Sequence, residues 1–589
     1  MPKVLVIDTE TTGLLPYCGD SMFSFSTCDN KWNTSVYRLD GSTIRQRRNT
    51  RVLRELLTDT DTVKVLHNAK FDLTMISHYL GEDLAEFPIY DTTVMSRLWR
   101  SNLPFLALKP LCRLLFGYTL DDENAVKDFC GSDQHRYQWV PESVMDRYQR
   151  GDAERTMLLY RAGRKKLKAL PQGVRDIHEM ERRLLWATMH MEKMGLRISE
   201  PRCEALIADL ERQRGHCLRR IEQTAGEFVN PTGPQIKRLL FEKMGFPVQA
   251  LTPKTQGPRL AKEDLLLFRG QHPIIDDILK YRSYQTGEAH LRSYLALARE
   301  GILHPNINTV GAETGRESCD HPALQTVERE DSPRNPFPVP ARRVFVPRLG
   351  YVFWFMDFSG IELRILVHYS GDPIARKAFE EGINLHDRAA EFWYGARYTR
   401  AKRHNPLVAA RMYNAAKNAT FAIHYGAGVA KTAATLGLPV EEVRAKWADY
   451  QEMFPGAFLL RKKVSRQVLE DGFVTTALGR RLYVPRSEHR VGVNYLAQGT
   501  AADVIKTTQV RVHDLLKSET NLEVWQTLPV HDELIGEYPR ARGMKKMRPL
   551  LRKIERVATD FPQFDIPMQV EFSVATDCWA NEQKIDLAA

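Results

Sequence analysis

At 589 residues and 43% hydrophobic, the chain is long enough for more than one buried core, and its length alone predicts roughly three or four domains. No window approaches the ~18 consecutive apolar residues of a membrane span, and the opening MPKVLVIDTE enters a strand pattern at once, without the charged-then-apolar layout of a signal peptide. Eight cysteines with no CxxC pair point to neither a disulfide framework nor a zinc site, and 84 Lys plus Arg against 73 acids, a net +11, suits a phosphate-rich partner as readily as a solvated basic surface.

Residues 3–7, KVLVI, predict a strand that runs into Asp8-Thr9-Glu10. Strand side chains alternate, so Asp8 and Glu10 share a face and repel each other unless cations lie between them. A second strand-like run, VKVL, precedes His67 and Asn68 and brings a third acid, Asp72. Tyr148 and Asp152 stand at i,i+4 and therefore on one helix face. Asp91, in IYDTT, reads as an ordinary loop or cap acid. Leu170-Pro171-Gln172-Gly173 marks a domain boundary, after which Met180, Leu184, Leu185, Thr188, Met189 and Met191 recur at helical spacing up to Gly195. A polar-faced helix from about Glu200 to Glu227 and a basic one near Ile275 to Tyr284 suit a duplex backbone or a solvated hairpin equally.

Tyr351 to Phe358, YVFWFMDF, predicts a buried strand with one carboxylate, Asp357, where it leaves the core. Ser359 and Glu362 follow at capping-box spacing and predict a capped helix. In RMYNAAKNATFAIHYGAG, Lys417, Phe421 and Tyr425 fall at i,i+4,i+8, a face that suits a nucleotide or, equally, a core-facing aromatic pair with a snorkelling lysine. Gly479 to Tyr483, GRRLY, predicts a turn bearing basic side chains, and Arg490, Asn494 and Gln498 form a further i,i+4,i+8 face. Its donors suit the acceptors that every base pair shows in the minor groove, and they suit water as well. VWQTLPVHDELIGEY predicts a hairpin with His531, Asp532 and Glu533 at its tip and Pro529 on an edge strand.

The set Asp8, Glu10, then Asn68 to Asp72, then Tyr148 and Asp152, resembles the 3′-to-5′ proofreading exonucleases of the DnaQ-like, RNase H-type fold. DFSGIELRI, KNATFAIHYG, QGTAADVIK and VHDE, in that order, resemble the motifs of family A DNA polymerases, the group of bacterial polymerase I and many phage replicases. The resemblance covers nearly the whole chain. It implies an α/β and α+β multidomain fold: an exonuclease domain over 1–172 and a right-hand polymerase over 173–589. Within the latter it places a thumb at about 200–300, a palm at about 301–372 and 500–589, and fingers at about 373–499.

The resemblance also implies roles. Asp8, Glu10, Asp72 and Asp152 hold metals and Tyr148 orients the attacking water. Asp357 and Asp532 hold Mg²⁺, two ions to each active site with Mn²⁺ as the alternative, and Glu533 and His531 support the metal and the primer end. Lys417 and His386 meet the triphosphate, Phe421 and Tyr425 the nucleotide, and Glu362 bars a ribose 2′-OH. Arg316, Gln325, Arg490, Asn494 and Gln498 contact primer-template DNA. Family members carry Arg four residues before the Lys417 position, where this chain has Tyr413; Arg411, six before, lies ~600° around a helix and reaches a phosphate only by a local shift. Expected partners are primer-template DNA, dNTPs and replisome proteins such as a helicase-primase or single-strand binding protein, with no membrane. A cytoplasmic monomer of the compact phage type is expected, in the host cytoplasm where phage-encoded, with no 5′-nuclease domain ahead of residue 8 and no long thumb insertion. A stand-alone nuclease would leave Asp357 and Asp532 unused, and a non-catalytic duplex clamp has no need of paired acids.

Overall fold

The structure, a computed structural model, describes residues 3–119, 121–131, 133–253, 255–330, 335–519 and 522–587. Two five-stranded sheets organise it. The first comprises β1 (Lys3–Thr11), β2 (Met22–Asp29), β3 (Thr34–Arg38), β4 (Thr62–Leu66) and β5 (Ile89–Asp91). Its order is β3-β2-β1-β4-β5, with β1 antiparallel to β2 and parallel to β4. Against it pack α1 (Ala69–Leu80) and, later in the chain, α3 (Glu142–Ala169), on which α2 (Leu108–Phe116) rests. Next come α4 (Gln172–Met194) and the paired long helices α5 (Glu200–Ala225) and α6 (Pro273–Leu297).

The second sheet is antiparallel, in the order β7-β8-β6-β9-β10. Its strands are β6 (Tyr351–Phe358), β7 (Trp525–Val530), β8 (Glu533–Pro539), β9 (Val570–Ala575) and β10 (Gln583–Ile585). The aromatic run in β6 exists because both faces of that central strand are covered. Trp354, Met356 and Phe358 pack into a core with Ile361, Leu496 and Ala497, whereas Phe353 and Phe355 enter another with Tyr294, Phe345 and Trp579. Around this sheet lie α7 (Ile361–Ser370), α8 (Leu385–Tyr394), α9 (Pro406–His424) and α10 (Gly492–Ser518). As Pro529 requires, β7 is an edge strand.

The break at Pro171 separates two helices, yet α4 does not behave as the start of an independent unit. Val174 and Ile177 enter the core of Val4, Val65 and Met157, and Leu185 and Trp186 that of Ile7, Leu66 and Leu73. Met191, on the same helix, belongs to the core beneath the second sheet. At the head of α4, a Cβ on Gly479 would lie 2.5 Å from the Cα of Gly173, and Gly479 holds φ +109°. This backbone approach carries Arg480 inward. Its guanidinium meets Glu181 at 2.5 Å and Asp503 at 2.6 Å, while Lys506 reaches Glu181 at 2.7 Å and the Thr309 carbonyl at 2.6 Å. All four charged side chains are at most 2% exposed. The basic turn expected at GRRLY therefore presents only one of its two arginines outward, because two buried acids claim Arg480. Two acids and two bases balance, and removing one member of such a buried set costs about 3–5 kcal/mol by leaving a charge unpaired.

Two candidate active sites

The first site lies at the end of β1. Asp8 and Glu10 project from the same strand face, and α3 brings Asp152 so that oxygens of the three carboxylates lie within 4.8 Å of one another. Asn68, in the left-handed region at φ 62°, turns the chain into α1 and puts Asp72 in its first turn. Asp72 then accepts hydrogen bonds from the Thr9 backbone N–H at 3.1 Å and hydroxyl at 2.6 Å, which lock it onto β1. Burial, then the neighbouring carboxylates, raise Asp8 well above the usual range, and burial followed by Asp152 raises Glu10 to about 8. Burial raises Asp72 to about 7 against the lowering effect of the Thr9 hydrogen bonds. Tyr148 stands edge-on to Tyr137 at 6.1 Å, and burial drives its phenol far above the ordinary value, so it keeps its proton.

Two cations that sequence reasoning missed complete this site. Lys109, from α2, donates to Asp152 Oδ2 at 2.5 Å and sits 3.7 Å from the centroid of the Tyr148 ring. Arg155 donates to Asp152 Oδ1 at 3.0 Å and holds Asp122 at 2.6 and 2.7 Å. Arg155 could have been found from its i,i+3 spacing to Asp152; Lys109 carries no local signal. Asp91 caps the helix Thr92–Trp99 through Thr93 N at 2.8 Å and also accepts from Asn68 N and Ala69 N at the start of α1. It is the structural acid that its sequence context suggested.

The second site is a cleft of about 1020 Å³ at the open end of β6. Asp357 closes that strand opposite Glu533 on β8. Asp532 rides on the two-residue turn between β7 and β8, where His531 adopts φ 58° and Phe358 N donates to the Asp532 carbonyl at 3.2 Å. Burial, then the charge of Asp532, push Asp357 up to about 7, and burial also raises Asp532. Glu533 is 4% exposed, with Arg329 3.7 Å away, and burial followed by Glu582 raises it to about 8.

Across the cleft, α9 presents Lys417 and Phe421, and Tyr425 follows at its C-cap. Phe421 lies 5.3 Å from the His386 ring and 6.3 Å from that of Tyr425. Asn384 caps α8 by accepting from His386 N at 2.9 Å, which places the imidazole in the wall. Burial, then Lys417, lower His386 to about 4, so it is neutral at physiological pH, and its buried Nδ1 has no hydrogen-bond partner. Glu362 accepts from the Tyr425 hydroxyl at 3.0 Å and forms an ion pair with Arg316. Gln325 and His531 also line the cleft, and Gln325 donates to the Pro529 carbonyl at 3.1 Å.

Two expectations change. The capping box is absent: Gly360, at φ 63°, is the N-cap of α7 and no side chain caps the helix. The left-handed turn moves Ser359 out of capping position, which frees Glu362 for Arg316 and Tyr425. Arg490 does not share a helix face with Asn494 and Gln498, because it lies in a 3₁₀ turn, Arg486–Val491, kinked at Glu488, and α10 begins at Gly492. Asn494 and Gln498 bond each other at 2.8 Å, and these three residues lie outside the lining of the cleft. Arg411 is exposed and also outside it; Tyr413 takes the wall position and accepts from Asn384 Nδ2 at 3.1 Å. Among the described lining residues, Arg316 and Lys584 pair with Glu362 and Glu571, and Lys506 with Glu181, whereas Lys417 and Arg364 are held by no carboxylate; Arg364 donates instead to the Ser359 and Pro567 carbonyls and to Gln569 Oε1.

Known proteins share this organisation. A model of the 3′-5′ exonuclease family matches residues 2–168, and one of DNA polymerase family A matches residues 200–581. The thermostable DNA polymerase I of Thermus filiformis is 31% identical over 457 residues, 74% of this chain and 53% of its own length. DNA polymerase I of Pseudomonas aeruginosa is 27% identical over 552 residues, 90% of this chain and 57% of its own. The chain thus spans about half the length of the curated relatives it matches. The solved POL domain of Pol1 from M. smegmatis, in complex with DNA primer-template and dNTP, has the same fold, with a TM-score of 0.82 at 21% identity over 98% of this chain and 95% of that one. With the polymerase model covering most of its length and the exonuclease model the segment before it, the chain belongs to the family A DNA polymerases and carries an exonuclease domain ahead of its polymerase domain.

Proposed function

We propose that the chain extends a primer 3′ end with dNTPs on a DNA template and removes mispaired ends at its separate 3′-to-5′ exonuclease site. The observation that carries this reading is the convergence, on one cleft, of two strand-end carboxylates with an unpaired lysine and an aromatic wall from a facing helix. On this reading α5 and α6 form the thumb, the β6–β10 sheet the palm, and α8 with α9 part of the fingers.

Both carboxylate sets suit Mg²⁺, a hard cation that takes oxygen ligands, and Mn²⁺ fits the same donors. Asp357 and Asp532 would hold it at one site, and Asp8, Glu10, Asp72 and Asp152 at the other. When bound, such ions lower the pKa of the attacking hydroxyl or water and neutralise the leaving oxygen. Loading expels protons from the raised carboxyls, so it strengthens as pH rises through about 7 to 8. Lys417 and the neutral His386 imidazole face the phosphates, and the Phe421 ring backs the sugar and base. Positioning of this kind is the main work that phosphoryl transfer asks of a protein.

Glu362, held by Arg316 and Tyr425, forms the wall beside the sugar. Glu362→Ala is expected to raise ribonucleotide incorporation by about 10- to 100-fold in competition with dNTPs. Unchanged sugar discrimination with a lowered melting temperature would reduce the residue to a brace. Phe421→Tyr adds a hydroxyl that can replace the missing 3′-OH of a dideoxynucleotide, and is expected to relax its rejection; identical chain-termination ladders would count against this wall assignment. The reading as a whole is tested by incubating the full chain with primer-template, Mg²⁺ and dNTPs, and then without dNTPs. Extension to the template end in the first case and shortening of the primer in the second are expected. Shortening without extension would leave a nuclease, and neither would leave a duplex-binding protein.

A further inference from the structure

We propose that Lys109 is a resident counter-ion of the exonuclease site, which holds Asp152 in place before a divalent ion arrives and must give up Asp152 Oδ2 when one binds. The inference rests on the metal-dependent exonuclease reading above and deepens it.

Lys109 is only 9% exposed. A buried ammonium is costly unless it is paired, so its surroundings are built for it. Those surroundings are two residues of the exonuclease motif: Asp152, whose Oδ2 lies 2.5 Å from the ammonium, and the Tyr148 ring, whose centroid lies at 3.7 Å. Asp8 and Glu10 add further negative charge around it. The other cation on Asp152 is of a different kind. Arg155 is planar, donates to Oδ1 at 3.0 Å and is anchored by Asp122 at 2.6 and 2.7 Å. Lys109 has a flexible stem and, among the described residues, hydrogen-bonds to Asp152 alone, so of the two cations it is the one able to move.

Asp152 is also one of the three carboxylates whose oxygens lie within 4.8 Å of one another. An ion shared by that group would stand close to the ammonium and repel it. Each loading of the site is therefore an exchange, with Lys109 leaving Oδ2 as the metal takes it. The exchange keeps the acids assembled without metal and lowers their metal affinity, so that occupancy responds to the prevailing divalent concentration.

The test is a Mn²⁺ titration of the full-length chain without DNA, followed by calorimetry, for wild type, Lys109→Met, Lys109→Gln, Lys109→Arg and Asp8→Ala. The Lys109→Met and Lys109→Gln proteins are both expected to tighten, by about tenfold, the binding event that Asp8→Ala removes. Lys109→Arg, which keeps the charge, is expected to bind with affinity near wild type. A purely structural lysine would give the opposite sign, since loosening Asp152 weakens the site. Unchanged or weaker Mn²⁺ binding by a folded Lys109→Met or Lys109→Gln protein overturns the proposal while leaving the exonuclease reading intact. Absence in wild type of any event sensitive to Asp8→Ala overturns both.

Discussion

Asp357→Asn is expected to lower single-nucleotide incorporation by roughly 10³-fold or more, about 4 kcal/mol of lost transition-state stabilisation, while 3′-end degradation continues. Asparagine keeps the volume and one carbonyl oxygen, so the β6 core of Trp354, Met356 and Phe358 is undisturbed. What disappears is one of the two carboxylates placed to hold the metal; Glu571, opposite Asp357 on β9, also lines the cleft but is paired with Lys584. Rapid-quench measurement of one dNTP addition, beside a degradation assay on the same preparation, separates lost chemistry from lost folding. Extension within a few-fold of wild type would remove Asp357 from the mechanism, and with it the assignment of the cleft.

Asp8→Ala is the mirror experiment, with 3′-end degradation falling by roughly 10³-fold and extension retained. It also makes a stability prediction with a definite sign. Asp8 and Glu10 have folded-state pKa values raised by burial first and then by neighbouring carboxylates, Asp152 foremost, Glu10 to about 8. A carboxyl raised in the folded state favours folding at low pH and loses that contribution as pH climbs from the ordinary carboxyl range through the raised value. The metal-free wild-type protein should therefore lose stability between the ordinary carboxyl range and about pH 8. Asp8→Ala removes the raised Asp8 titration, so its melting temperature in EDTA should fall less over that interval. Parallel melting curves for the two proteins at acid and alkaline pH would show that the Asp8 carboxyl is not raised in the folded state.

Much of both sites was legible because their signals are local. The alternation of β1, the four-residue spacing of Tyr148 and Asp152, and the hairpin around His531 each lie within one element. The aromatic run of β6 betrayed a strand buried on both faces. What failed was what a local pattern cannot carry. Ser359 has capping-box spacing, but Gly360 in a left-handed conformation starts the helix one residue late. Arg490 has helical spacing to Asn494, but the chain is still a 3₁₀ turn there. Arg480 looked like a surface cation because its partner Glu181 is 299 positions away, and Lys109 was silent because Asp152 is 43 away. Ser359 and Arg490 lose their apparent roles to local backbone conformation, whereas Arg480 and Lys109 take theirs from distant partners.

The buried set of Glu181, Arg480, Asp503 and Lys506 bears on how the chain can be dissected. A fragment starting at residue 200, where the polymerase family match begins, would retain Arg480 and Lys506 but lose Glu181, the buried acid with which both of them pair. A fragment ending at residue 168, where the exonuclease match ends, would lose Val174, Ile177, Leu185 and Trp186, and so would uncover Val4, Val65 and Leu73 to water. Neither cut passes through a tether. The helix between the two halves is shared property, and the two carboxylate sites are joined through a common interior.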